Sequence, residues 1–279
     1  MLNKNRKSQS GMSLIELMIG VTIGLLVVGG VTTIYISLIN NSSQTLKMSK
    51  LTNSLSTLNS IMINDLRRTG YWDGTNLNDI AANPFNQVGT TALEVHSTAD
   101  FTDMSSYADV GTTGIGECVV YTYDETHDDD DDGGVSATVD DNEKFGFRLR
   151  DDGGVGVIDI RTQGDTINTC DDEVGATWTE ITDKKLIDIS LLTFNMANSS
   201  CLNTSVTDGF DDDTNGATTD EDEEDCYLVA PANTIVTNDL TLETREVTIT
   251  LKGNLITDPN VQVVQTNTVR IRNDIVRTQ

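Results

Sequence analysis

Three groups of residues carry chemistry that an ordinary soluble domain does not need. The first centres on Glu16, the only charged side chain between Leu14 and Ile39. At 1.5 Å rise per residue that apolar run is long enough to cross the hydrocarbon core of a bilayer. A carboxylate at its start costs roughly 2.5–3.5 kcal/mol on insertion scales and calls for a partner, so Glu16 is a functional position by default. Just ahead stand Gly11 and Met12, where a polar leader carrying Lys4, Arg6 and Lys7 gives way to the run. A secretory signal is cut after its hydrophobic region, whereas here the leader ends in a small residue before that region begins.

The second group is acidic. Asp211, Asp213, Asn215 and Gly216 occupy the first, third, fifth and sixth places of a calcium-loop frame, and Asp222 stands where a bidentate glutamate is usual. Oxygen ligands at alternate positions followed by glycine let a chain curl around a hard cation. Asp128, Asp130, Asp132 and Gly133 begin a second frame, but Val139 sits where its last acid should be. The plainer reading is two solvated acid runs extended by like-charge repulsion. Calcium is the only cofactor the sequence brings forward, and the 211–222 frame is the better of the two.

The third group is Cys118, Cys170, Cys201 and Cys226, all beyond the apolar run. If that run spans a membrane they lie in an oxidising compartment, and an even count there implies two disulfides. Of the three pairings, Cys118–Cys170 with Cys201–Cys226 joins each cysteine to the next one along the chain. Zinc is disfavoured, since no C-x-x-C spacing occurs and His96 and His127 are the only histidines. No nucleophile elbow, phosphate-binding loop, H-E-x-x-H or dinucleotide fingerprint is present, so an enzyme is not expected.

The elements that must position these groups begin with one long helix. Leu51, Leu55, Leu58, Met62 and Leu66 recur at steps of three and four, an amphipathic stripe that continues the apolar run. A single helix is expected from about Ser13 to Thr69, with Gly70 as its stop. Gly20 and Gly24 form a small-xxx-small step suited to close helix packing. Strands follow by composition at 93–95, 118–124, 145–150, 156–161, 178–183, 187–194, 245–252 and 261–272, rich in β-branched and aromatic residues and bounded by Gly and Asp. The fold class is α+β, a long helix packed on an antiparallel sheet, with Val247, Ile249 and Leu251 on the face that covers the helix stripe.

Gly11, the hydrophobic residue after it, and Glu16 as the fifth residue counted from Met12 resemble the class III signal of type IV pilins. That resemblance implies cleavage between Gly11 and Met12 by a prepilin peptidase and methylation of the new amino terminus. It implies further that Glu16 meets the α-amino group of Met12, in its own or a neighbouring subunit, during filament assembly. An amine and a carboxylate that must both enter lipid cost less together than apart. The string Asp65-Leu66-Arg67-Arg68-Thr69-Gly70-Tyr71-Trp72 resembles the PilW family of minor pilins, and the later strands follow in a consistent order. Its implied parts are a leader at 1–11, a membrane and filament-core helix at 12–40, an amphipathic continuation at 41–70 and an exported β domain at 71–279. Implied partners are the major pilin, other minor pilins, prepilin peptidase, an inner-membrane assembly platform and a tip adhesin. The implied role is pilus assembly or initiation at the tip, supporting adhesion or twitching motility.

Charge sets the exclusions. With 18 Lys and Arg against 44 Asp and Glu the chain carries −26, and loss of the leader would remove three more cations. Such a surface repels nucleic acid and anionic headgroups. Lys4, Arg6 and Lys7 hold the amino terminus in the cytoplasm by the positive-inside rule, and the pilin resemblance implies a place in the inner membrane before assembly and on the cell surface after it. The alternatives are a J-type pseudopilin of a type II secretion system, and a membrane-anchored calcium-binding adhesin that never enters a filament.

Overall fold

The computed structural model describes residues 11–72, 83–86, 93–98, 108–109, 115–125, 139–164, 170–171, 175–203, 240–273 and 275–278. Helix α1 runs Leu14–Leu66, three residues short of the expected end. Residues 67–70 close as a tightened turn, with Arg68 N donating to Asp65 O and Thr69 N to Leu66 O. Gly70 then takes φ +73°, the left-handed conformation expected of it. The chain divides into two compact units, Met1–Ser49 and Lys50–Gln279.

Between Leu14 and Ile39 helix α1 has no polar face. Consecutive side chains from Leu14 to Ile39 are exposed on all sides, among them Leu14, Ile15, Leu17, Met18, Ile19, Leu25, Leu26, Val27 and Val28. Its polar hydroxyls turn inward. Thr32 donates to Val28 O at 2.8 Å, Thr33 to Gly29 O at 2.9 Å, and Thr22 to Ile19 O at 2.9 Å. These bonds hide the hydroxyl protons in the helix backbone, which suits an apolar surrounding. The helix is long and apolar enough to cross a membrane.

The second unit is antiparallel β around the remainder of the helix. Its strands are β1 (Glu94–Ser97), β2 (Ala108–Asp109), β3 (Ile115–Gly116), β4 (Cys118–Thr122), β5 (Lys144–Asp151), β6 (Gly156–Gln163), β7 (Thr177–Glu180), β8 (Ile187–Asn195), β9 (Ser200–Asn203), β10 (Leu240–Thr244), β11 (Glu246–Leu255), β12 (Asp258–Arg270) and β13 (Ile275–Thr278). They form not the one sheet expected but three, in the orders β2-β1-β4-β5-β6-β7, β12-β11-β8-β3 and β13-β10-β9. Alternating composition marks a strand but not the sheet it joins. Two glycines make the division possible. Between β3 and β4 the chain passes from one sheet to another at Gly116, where a Cβ would lie 2.1 Å from the carbonyl oxygen of His96. Where β6 meets β8, a Cβ on Gly156 would lie 1.9 Å from Ile189 O, and Gly156 N donates to Asp188 Oδ1 at 2.8 Å.

The stripe Leu51, Leu55, Leu58, Met62 and Leu66 is buried in one core with residues of both large sheets. Val119 and Tyr121 of β4, Phe145, Phe147 and Leu149 of β5, Ile187, Ile189, Leu192 and Phe194 of β8 and Val247, Ile249 and Leu251 of β11 supply the strand side. Leu55 comes so near β11 that a Cβ on Gly253 would stand 3.1 Å from its Cδ2. Strand β8 changes phase to stay on this core. Ile187 and Ile189 face inward, Ser190 and Leu191 are exposed, and Leu192 and Phe194 face inward again. A register shift against β11 at Lys252/Gly253 absorbs the extra residue. Without that bulge, one half of the strand would turn its apolar set to water.

Leu55→Ala should lower stability by about 2–5 kcal/mol, the cost of lost burial plus an unfilled cavity, whereas Leu191→Ala at the bulge should cost less than about 1 kcal/mol. Urea unfolding of the detergent-solubilised chain, followed by near-ultraviolet circular dichroism, checks the difference.

Candidate functional site

The amino-terminal positions occupy the approach to helix α1. Gly11 and Met12 are exposed and non-helical, and Met12 is 75% accessible. The peptide bond joining them is thus open to a peptidase, which needs an extended, reachable chain. No atom lies within 4 Å of a Cβ built on Gly11, so local crowding does not account for the glycine. The amides of Glu16 and Leu17 both donate to Ser13 O at 3.1 Å, opening the first turn. Glu16 therefore stands in the first turn of the helix, at the positive end of its dipole. It follows Met12 by four residues along the chain.

At the other end of the helix, Asp65 organises a partly buried polar cluster. Tyr121 and Tyr123 are two apart on extended chain and so share a face. Tyr121 donates its hydroxyl to Asp65 Oδ2 at 2.5 Å, and Tyr123 donates to Asp65 Oδ1 at 2.8 Å. The guanidinium of Arg68 lies 4.0 Å over the ring of Tyr123, donates to its hydroxyl at 3.1 Å and comes within 3.8 Å of Asp65. Burial, with the Asp65 charge behind it, pushes both phenols well above their ordinary value. The backbone closes the same junction: Gly70 N donates to Thr122 O at 2.8 Å, Asp124 N to Tyr71 O at 3.0 Å, and Asn83 Nδ2 to Gly70 O at 3.0 Å.

The opposite face of β4 and β5 carries a second cluster. Cys118 and Cys170 form a disulfide, beside Val120 and Trp178. Arg148, 2% exposed, stacks 4.1 Å from the Trp178 ring and donates to Cys170 O at 2.7 Å. Its charge is met by the buried Asp159, which Arg150 also grips at 2.7 and 3.0 Å. That two-pronged bond raises the Arg150 guanidinium above its ordinary value, so Asp159 lies between two permanent cations. Closing 52 residues of chain, the disulfide contributes about 2–5 kcal/mol, judged by the usual cost of removing a native one.

Two comparisons fix the family. Residues 6–32 match the prokaryotic N-terminal methylation motif, and residues 44–271 match the family described as prepilin peptidase-dependent protein B. The chain belongs to the prepilin peptidase-dependent protein B family. No curated protein and no solved structure is significantly similar to it.

In this family member the predicted positions are not one site. Gly11, Met12 and Glu16 belong to the first unit, while Asp65 and the disulfide belong to the second. The calcium frames with Asp128, Asp130, Asp132, Asp211, Asp213, Asn215 and Asp222 lie outside the described residues, as do His127, the Cys201 side chain and Cys226. Among the described residues no group of three or more His, Cys, Asp or Glu could hold a metal. His96 is buried, with Nε2 3.5 Å from Glu94. Sequence reading singled out the string holding Asp65 and Arg68 but not the tyrosines they hold. Tyr121-Thr122-Tyr123 after a string with one acid was the available signal.

Asp65→Asn removes the charge that holds two phenolic protons and should cost about 1–3 kcal/mol, the range for a buried partner lost. The phenols' raised values keep their protons on the folded chain while the unfolded chain ionises near pH 10. This contribution to stability is therefore complete below pH 10 and is lost as pH rises above it. Spectrophotometric titration at 295 nm should show phenolate from at least two tyrosines appearing only with unfolding, and at lower pH in Asp65→Asn.

Proposed function

We propose that this chain is a minor pilin of the PilW type, processed after Gly11 and assembled through helix α1 into a type IV pilus. The observation that carries the reading is Glu16 at the head of a helix with no polar face, four residues beyond the exposed Gly11–Met12 bond. The methylation motif over that segment and the family match over most of the remaining chain support it. Prepilin peptidase is the first partner, because the family's members are described by their dependence on it.

The mechanism is one of solvation. Before assembly the helix rests in the inner membrane, its hydroxyls bonded to its own carbonyls and Glu16 near the cytoplasmic border. Cleavage frees the α-amino group of Met12, and the amine and Glu16 neutralise each other as the helix leaves lipid for a bundle of other pilin helices. Apolar side chains exposed on every face then exchange lipid for neighbouring helices, and Gly20 and Gly24, with open space over both, allow close approach. The leader is 1–11, the helix core 12–40 and its amphipathic continuation 41–70. The β domain is carried outward to the filament tip, among other minor pilins, the major pilin and an adhesin, and supports adhesion or twitching motility. The chain is a structural subunit, not a catalyst.

Gly11→Val should leave the leader uncut, since a branched side chain replaces the smallest residue at the bond; mature protein beginning at Met12 recovered from that variant would refute the cleavage position. Glu16→Val in the native host should abolish surface filaments while processing, followed in the membrane fraction, continues. Unchanged filaments and motility would remove the chain from the assembly pathway, and loss of protein secretion in place of motility would assign it to a secretion pseudopilin.

A further inference from the structure

The turn that ends helix α1 and the residues that follow β12 enclose a pocket of about 380 Å³ lined by Asn64, Arg67, Arg68, Tyr71, Arg272 and Asn273. In a chain with 18 basic against 44 acidic residues, three arginines meet here, and among the described residues no carboxylate is in the lining. Arg68 is committed inward, to Tyr123 and Asp65. Arg67 is half-buried and Arg272 exposed, and among the described residues neither guanidinium has an ion pair or hydrogen bond.

The pocket is built, not incidental. Asn273 Nδ2 donates to Arg68 O at 3.3 Å and Thr69 O at 3.0 Å, which pins the Arg272–Asn273 segment to the helix end. The same bonds quench carbonyls that would otherwise repel an anion at the negative end of the helix dipole. Among the described residues the lining offers as donors the guanidinium forks of Arg67 and Arg272, the Asn64 amide and the Tyr71 hydroxyl. Guanidinium forks match the planar oxygens of a carboxylate, in two parallel charge-assisted bonds.

We propose that this pocket is a receptor for one or two carboxylate side chains of an acidic protein segment presented by a partner subunit. Size and charge both favour this ligand. The volume is at the low end of ligand pockets, enough for one or two side chains and not for a polymeric anion. A long polyanion would also meet the repulsion of a chain at −26, which grows with the ligand's own charge, whereas a single carboxylate inside a Debye length of Arg67 and Arg272 is attracted. The identity of the partner as a neighbouring filament subunit rests on the minor-pilin reading; the binding itself does not.

The test uses the full chain in neutral detergent and fluorescence anisotropy of a labelled, C-terminally amidated peptide, Gly-Asp-Glu-Asp-Gly, with Gly-Asn-Gln-Asn-Gly as its uncharged counterpart. The acidic peptide should bind saturably and the amide peptide should not. R67Q/R272Q should weaken binding by about tenfold or more, the worth of charge-assisted bonds lost, while Lys252→Gln, a cation outside the pocket, should leave it unchanged. If the double variant loses its near-ultraviolet circular dichroism, Arg272→Gln alone, at an exposed position, should still weaken binding. Equal binding of both peptides, or an affinity indifferent to Arg67 and Arg272, overturns the proposal. Inorganic phosphate displacing the acidic peptide at lower concentration than acetate does would overturn it in favour of a phosphate ligand. Because no filament enters the measurement, its failure leaves the Glu16 experiment standing, and the reverse.

Discussion

The carboxylate of Asp65 is the constraint on which the second unit turns. It sits in the last turn of helix α1 and accepts from Tyr121 of β4 and Tyr123 just beyond it, so it fixes both how the helix is rotated and how far along β4 it lies. Neither degree of freedom is set by the leucine stripe alone, since apolar packing is non-directional. Two hydrogen bonds to one carboxylate are directional. With the helix so indexed, Leu51, Leu55, Leu58, Met62 and Leu66 fall over the inward faces of both large sheets, and Gly70 meets Thr122.

Around that index the sheets are joined at points where a side chain has no room. Gly116 and Gly156 let two sheets approach to backbone contact, and Asp188 ties the second junction by accepting from Gly156 N and from Asn254 of β11. On the far side of β4 and β5 the same economy of space puts Trp178 over Gly146, where a Cβ would come within 3.1 Å of the ring. Arg148 then has a flat surface to stack on and Asp159 to neutralise it. Because Arg150 also holds Asp159, losing Arg148 leaves the carboxylate paired, whereas losing Asp159 takes the neutralising charge from the buried Arg148.

Local features were legible in the sequence, and long-range pairings were not. The helix and its stripe follow from periodicity, and the signal around Gly11 and Glu16 is a motif of adjacent residues that needs no tertiary context. The phase slip in β8, apolar at 187 and 189 and then at 192 and 194, is visible in the string itself, and the bulge is its physical answer. The Cys118–Cys170 bond is the one expected from joining each cysteine to the next along the chain. By contrast, Asp65 lies 56 and 58 residues from its tyrosines, and Arg67 lies far from Arg272 along the chain. Charge and spacing do not reveal such meetings, because they depend on strand register. Division into three sheets was hidden for the same reason: a glycine in a strand reads as weakness until the backbone beside it is seen.

The disulfide has a mechanical consequence. A chain gripped by its first helix and pulled from its last strand would, on yielding, extend by its contour length. Residues between Cys118 and Cys170 cannot join that extension, because the sulfur bridge carries the tension past them. At about 3.3 Å for each of the 52 residues bypassed, roughly 170 Å of slack is withheld. Under load this part of the domain would lengthen as a short tether while the strands around it tear open, and the bridged segment would recoil with its ends still in place.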